Sequence, residues 1–221
     1  MLSQLLRYDG YDMRIHHTLL LGLAFAVSLS AQGPAPGADW IPLFNGEDLS
    51  GWVEVGQEKW QVEEGTIHGI AVTDAYGYLQ TEKTYTDFHL GMRFRCEGSG
   101  NSGLFFHVGF KPGTPDVTKG LQFEIDCAIN RHTGGVYDNA RQWIVWPSPE
   151  KETVVRRNAW NDLQVKVEGN RYTARLNGVE MIDFTDPKPS SADGHIALQL
   201  HSGGDGNMRF KDIYIRDLTK R

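Results

Sequence analysis

Residues 121–126 read Leu121-Gln122-Phe123-Glu124-Ile125-Asp126, three apolar side chains alternating strictly with three polar ones. A period of two puts successive side chains on opposite faces of an extended chain, so this segment is a strand with one buried and one exposed face. Three more stretches keep the same step. Phe88, Leu90, Met92 and Phe94 interleave with His89, Arg93 and Arg95. Leu104, Phe106 and Val108 interleave with Phe105, His107 and Gly109, and Ile196, Leu198 and Leu200 with Ala197, Gln199 and His201. An ordinary solvated sheet face carries Thr, Ser, Lys and Glu. Here the polar sides carry Arg, His, Glu, Asp and Gln, the residue types that bind and transform polar molecules. If the strands share a sheet, Arg93, Arg95, His107, Gln122, Glu124, Asp126, Gln199 and His201 converge on one surface.

Outward from these strands the chain stays β-like. Short apolar runs bounded by turn residues occur at 40–44, 60–62, 65–69, 78–81, 160–168, 171–176, 179–184 and 208–218. Asn177-Gly178 between two such runs is a strong hairpin signal. Residues 128–158 read as one long connection. No amphipathic helix exceeds a turn or two, and no internal repeat is present. About a dozen short strands in one domain predict an all-β fold, a two-sheet antiparallel sandwich of jelly-roll type.

The chain has 221 residues, enough for one well-packed domain. Its formal net charge is -6 and it has no basic stripe, which argues against a nucleic-acid partner. Met13-Arg14-Ile15-His16-His17, the apolar run Thr18 to Leu29 and Ser30-Ala31 have the layout of a secretory signal. The run is too short to span a bilayer comfortably, so no membrane association is expected beyond this segment. The expected organisation is upstream residues and signal over 1–31, a linker over 32–39 and one domain over 40–218, in a secreted or periplasmic protein. Cys96 and Cys127 fall at strand ends with core-facing parity. With the strand 103–109 between theirs, the sulfurs would be about 9–10 Å apart, too far to bridge, so two buried thiols are expected.

A set of short motifs then resembles a known family. Leu43-Phe44-Asn45-Gly46 through Leu49-Ser50-Gly51-Trp52 is similar to the opening signature of the 3-keto-disaccharide hydrolases. Thr84-Tyr85-Thr86-Asp87-Phe88, Gly100-Asn101-Ser102-Gly103-Leu104-Phe105-Phe106, Thr133-Gly134-Gly135-Val136-Tyr137-Asp138 and Trp160-Asn161 follow in family order. Leu176-Asn177-Gly178, Gly194 to His201 and Phe210-Lys211-Asp212-Ile213 complete the set, covering roughly 40–218. The resemblance implies a concanavalin A-like jelly roll and action on glycosides oxidised at carbon 3 of the sugar. Two departures stand out. His107 falls where the family often has Arg, and Gln122-Phe123-Glu124-Ile125-Asp126 replaces the family's Glu-x-Gln-x-x-Asp. Glu124-x-Asp126 also opens like the Glu-x-Asp-x-x-Glu strand of laminarinase-type glucanases, but Ile129 stands where the last Glu should be, which disfavours that direct retaining hydrolysis.

Glu124 and Asp126, two apart on one strand, place their Cα atoms about 6.5–7 Å apart on one face. Paired carboxylates suit acid/base chemistry on a glycoside. A 3-ketone acidifies the hydrogen on carbon 2, so one base, an enolate stabiliser and a proton donor to the leaving oxygen suffice for elimination, and water can add afterwards. The candidates are Glu124 or Asp126 as base, His107, Arg93 or a metal for the enolate, and His201 or Tyr137 for the leaving group. The carboxylates and histidines could also hold a divalent cation. Arg95, Asn101, Gln122, Asp138, Arg141, Trp143 and Gln199 complete the candidate substrate contacts, with Trp143 or Trp146 available to stack on a sugar ring. A non-catalytic carbohydrate-binding module is the alternative, and a surface interaction domain a third reading.

Overall fold

The computed structural model describes residues 36–98, 100–111, 120–126, 128, 132–189 and 193–219. The expected signal segment, and the first half of the expected linker, lie outside the described residues. The strands are β1 (Ile41–Pro42), β2 (Trp52–Val55), β3 (Lys59–Glu63), β4 (Thr66–Ile70), β5 (Gly77–Tyr85), β6 (Phe88–Cys96), β7 (Asn101–Val108) and β8 (Leu121–Asp126). They continue with β9 (Val136–Asp138), β10 (Gln142–Val145), β11 (Asn161–Glu168), β12 (Arg171–Leu176), β13 (Val179–Thr185), β14 (Gly194–Leu200) and β15 (Asn207–Asp217). A single turn of helix, α1 (Pro149–Glu152), follows β10. Residues 128–158 are therefore not a plain connection. β9 and β10 are too short for their alternation to stand out, and they extend a sheet.

The strands form two antiparallel sheets in the order β13-β12-β11-β6-β15-β4-β3, with β1 also on β15, and β10-β9-β8-β7-β14-β5-β2. The all-β jelly-roll sandwich expected from the alternation is the observed fold. Its core lies between the sheets. Phe88, Leu90, Met92 and Phe94 enter from the first sheet, and Leu104, Phe106, Leu121, Phe123, Ile125, Ile196, Leu198 and Leu200 from the second. Each such side chain removed from water contributes about 1.5–3 kcal/mol, which fixes which face of every strand points inward. Asn177 and Gly178 take positive φ (50° and 85°) and join β12 to β13 as a tight hairpin.

One expectation fails here. β6 does not lie beside β7, β8 and β14; it belongs to the opposite sheet. The chain changes sheet within residues 97–100. The Glu97 N–H still donates to the Asn207 carbonyl beside β15 (2.8 Å), whereas Asn101 already pairs with Asp126 of β8. Gly100 permits the step, because a Cβ there would sit 3.1 Å from Gly206 Cα.

The change of sheet also corrects the cysteine expectation. Cys96 is disulfide-bonded, and Cys127 is the chain's single other cysteine. Two thiols would be held apart only if β6, β7 and β8 were adjacent strands of one sheet, and β6 is not in the sheet of β8. The placement of Cys127 lies outside the described residues. A bridge closing a loop of about thirty residues stabilises the fold by roughly 3–4 kcal/mol. Cys96→Ala, or reduction of the native protein, should lower the urea midpoint accordingly. An unchanged midpoint would contradict the bridge.

Candidate functional site

The site lies on the outer face of the second sheet. In the β7–β8 ladder Asn101 sits opposite Asp126, Gly103 opposite Glu124, and Phe105 opposite Gln122. β14 sets Ala197 opposite Phe105, and β5 sets Tyr78 opposite Gln199. On the other side, β9 sets Tyr137 opposite Gln122, and β10 sets Trp143 opposite Tyr137. Cross-strand partners share a face. Asn101, Gln122, Glu124, Asp126, Tyr137, Trp143 and Gln199 therefore come together, and His201 joins them at the end of β14. Alternation predicts this for Gln122, Glu124, Asp126, Gln199 and His201, while Asn101, Tyr137 and Trp143 are expected from their motifs and loop position.

Glu124 is the centre of this face and is buried. Asn101 Nδ2 donates to its Oε1 (2.5 Å), and Gln122 Nε2 donates to its Oε2 (2.8 Å). Gly103 makes the second contact possible. A Cβ at that position would lie 2.5 Å from Gln122 Cδ, so the missing side chain leaves room for the Gln122 amide to lie across β7. The carboxylate is thus aimed by two amides from two strands. Asp126 is held differently. Its Oδ1 accepts the Ala128 N–H (2.8 Å), while its backbone is tied at both N–H and C=O to the Thr133 hydroxyl (2.9 Å each).

Next to Glu124 lie groups that the sequence reading did not assign. Tyr78 is fully buried, stacked on Phe110 (4.0 Å between centroids) and edge-on to Phe105. Burial pushes its hydroxyl well above the ordinary phenol value, with Gln199 opposing in part. No directed hydrogen bond joins the Tyr78 hydroxyl to the Gln199 amide, although they are neighbours. Gln199 Oε1, Asn101 Oδ1 and Gln80 Oε1 are likewise buried without a protein partner. Tyr76 donates its hydroxyl to His201 Nε2 (3.3 Å), because His201 Nδ1 faces the Ser202 carbonyl (3.0 Å) and so carries the ring proton. The Tyr76-Gly77-Tyr78 spacing could have flagged these two rings. Towards β10, Tyr137 meets Trp143 edge-on (5.3 Å), and Trp143 meets His132 (4.8 Å).

Five expected residues stand elsewhere. Arg93 and Arg95 are on the outer face of the first sheet. Arg93 lies 3.6 Å from Asp212 and 3.9 Å from Asp162, in a shallow cleft with Tyr214 and Gln164. Arg95 pairs with Glu97 and lies over the Trp160 ring. His107 is the odd residue of a bulge: Phe105 and Val108 oppose Ala197 and His195, so β7 carries one residue too many. His107 takes a φ of 56° and turns inward, bonding through Nε2 to the Thr86 carbonyl (2.8 Å) against Phe88 and Phe106. It cannot stabilise an enolate on the outer face. Arg141 serves the fold rather than the site, bridging Asp138 (2.7 Å), Asp186 (2.8 Å) and the Lys188 carbonyl (2.7 Å). Asp138 pairs in register with core-facing Leu121 and is consumed by that bridge. Among the described residues no group of three or more His, Cys, Asp or Glu is placed to hold a metal ion.

Residues 39–216 match the family model described as the 3-keto-alpha-glucoside-1,2-lyase-like domain. The chain belongs to that family. No curated protein matches it. Among solved structures, a proposed glycosyl hydrolase of Parabacteroides distasonis is 21% identical, with a TM-score of 0.63 over 81% of this chain and 94% of that one. The carbohydrate-binding module CBM66 of Bacillus subtilis is 17% identical, with a TM-score of 0.57 over 75% and 95%. A Bacillus subtilis protein of unknown function with a galectin-like fold is 14% identical, with a TM-score of 0.62 over 84% and 97%. At these identities the likenesses establish the sandwich. The family makes this a carbohydrate-related domain, and its model spans every strand that builds the outer face.

The Arg141 bridge gives a stability test. Burial pushes the Asp186 carboxyl up, but Arg141 and the Lys188 N–H outweigh it and hold the carboxyl below the usual range. A lowered folded value means that the contribution is present above the ordinary carboxylate value and is lost as pH falls through the lowered one. Arg141→Ala should cost about 3–5 kcal/mol near pH 7, since it leaves the Asp186 carboxylate buried without its cation, and the cost should shrink in strong acid. Urea melts at pH 7 and pH 3 check both statements.

Proposed function

We propose that the outer face of the second sheet binds a glycoside oxidised at carbon 3 and cleaves it by elimination, with Glu124 as the base. The observation that carries this reading is the Glu124 carboxylate, fixed by Asn101 and Gln122 beside unpartnered buried Tyr78, Gln199 and Asn101 atoms. Glu124 removes the proton on carbon 2, and the electron pair of that bond moves towards the ketone. The Tyr78 hydroxyl and the Gln199 amide are the donors available to the developing enolate oxygen, replacing His107 and Arg93 in that role. As the ketone re-forms, a carbon 1–carbon 2 double bond appears and the bond to the leaving oxygen breaks. Tyr137, on the β9 side of the base and with its hydroxyl now donating to Gln142, supplies the proton to that oxygen. Addition of water to the double bond makes the net reaction hydrolysis.

The family supports the substrate class. Neutral amide, hydroxyl and imidazole groups suit an uncharged sugar. The disulfide at Cys96 supports a secreted or periplasmic protein, because such bridges persist in oxidising compartments. The full chain should release the leaving group from a 3-keto-glucoside and not from the unoxidised parent, with and without chelator. Glu124→Gln keeps the shape of the side chain and should lower kcat by at least about 10²-fold, the contribution of a positioned base. Binding of both sugars without release from either would instead make the domain a carbohydrate-binding module.

A further inference from the structure

We infer that Trp146, backed by His132, forms a second ring-binding subsite that takes the leaving sugar of a disaccharide; this rests on the reading of Glu124 as the base. Trp146 is the exposed aromatic of the described chain, at 51% relative exposure, while Trp52 and Trp60 are buried. An indole left in water and held rigid is poised for a partner. Its ring stacks on His132 (5.4 Å between centroids, 23° between planes), and His132 meets Trp143 edge-on on its way to Tyr137. Glu152 of α1 fixes the imidazole through Nδ1 (2.7 Å). The platform is therefore set before any ligand arrives, and its binding costs little ordering.

Its place in the sheet relates it to the base. The Glu124 N–H donates to the Gly135 carbonyl (3.0 Å), and the Gly134 N–H donates back to the Glu124 carbonyl (2.9 Å), so Gly135 is the cross-strand neighbour of Glu124. Trp146 follows Val145, the cross-strand partner of Val136, and a Cβ on Gly135 would lie 3.1 Å from Trp146 Cα. Two strand spacings separate Glu124 from Trp146, roughly 9–10 Å, more than one pyranose ring covers. Gly135 carries no side chain, and the backbone of His132, Val145 and Trp146 closes over it within 2.9–3.1 Å of where a Cβ would stand, which brings the Trp146 main chain up to the neighbour of Glu124. The polar groups, Asn101, Gln199, Tyr78 and His201, lie on the β7–β14–β5 side of Glu124. The aromatic ledge lies on the β9–β10 side. The oxidised ring, rich in hydrogen-bonding oxygens, fits the first. The leaving ring, offering a flat face of C–H groups, fits the second.

The test compares a 3-keto-disaccharide with methyl 3-keto-glucoside, using the full chain, Trp146→Ala and Trp146→Phe. Trp146→Ala should lower kcat/KM roughly tenfold on the disaccharide, leave the methyl glycoside within about twofold, and be partly rescued by Phe. Equal losses on both substrates, or no loss on either, would overturn the subsite. A loss seen with an aryl 3-keto-glucoside but not with the disaccharide would also overturn it, since the platform would then serve aromatic leaving groups. If the unmodified chain cleaves nothing, the elimination reading fails and the subsite is judged on binding alone. The Trp146 indole N–H resonance should then move with the unoxidised disaccharide and not with methyl glucoside, and its failure to move would overturn the subsite separately.

Discussion

The register between β7 and β8 is the constraint on which the site depends. A slip of β8 by one residue would turn Leu121, Phe123 and Ile125 towards solvent and drive Glu124 into the core. Both outcomes are costly: each exposed core side chain forfeits about 1.5–3 kcal/mol, and a buried carboxylate without donors costs more. The apolar core therefore selects one register, and that register sets Gly103 opposite Glu124. Everything that aims the carboxylate follows, because only there can Gln122 lie over β7 while Asn101 reaches the other oxygen. The packing of one side of the sheet thus positions the chemistry of the other.

The charged residues show a division of labour between the sheets. On the first sheet the arginines are paired. Arg209 is buried between Glu63 (2.7 Å) and Glu97 (2.9 Å), and its guanidinium and His68 hold the exposed Glu63 carboxyl below the usual range. Arg95 shares Glu97, and Arg93 lies between Asp162 and Asp212. Arg141 is taken up at the end of the second sheet by Asp138 and Asp186. The outer face around Glu124 uses amides, hydroxyls and imidazole instead. Such groups recognise hydroxyls and carbonyls without attracting an anionic ligand such as a phosphorylated sugar, which a free arginine would favour.

Alternation made much of this legible in the sequence. Strand faces depend only on parity, and parity alone places Gln122, Glu124, Asp126, Gln199 and His201 together. Parity carries no information on which sheet a strand joins. Phe88–Cys96 and Asn101–Val108 look like neighbours joined by a Gly-rich turn, yet the chain crosses the sandwich there because Glu97 stays on β15. The same error misplaced Arg93 and Arg95 and hid the disulfide at Cys96. Nor does parity survive a bulge. His107 has outward parity by simple counting, but β7 carries one extra residue there and the parity inverts. β9 and β10 were invisible because three or four residues cannot display a period.

The inward turn of His107 has a chemical consequence. In the family this position often holds arginine, by the resemblance noted above, and an arginine could not replace His107 in its present setting. The imidazole has one N–H for the Thr86 carbonyl and packs its ring against Phe88 and Phe106. A guanidinium there would bury a charge with five N–H donors against apolar rings, which is unfavourable unless the side chain swings out past the bulge. Arginine at this position would therefore favour a regular β7 whose side chain reaches the outer face and could assist an enolate directly. In this chain the bulge turns the imidazole inward, and under the proposed elimination the donor to the enolate would be Tyr78, whose hydroxyl is held by burial above the ordinary phenol value.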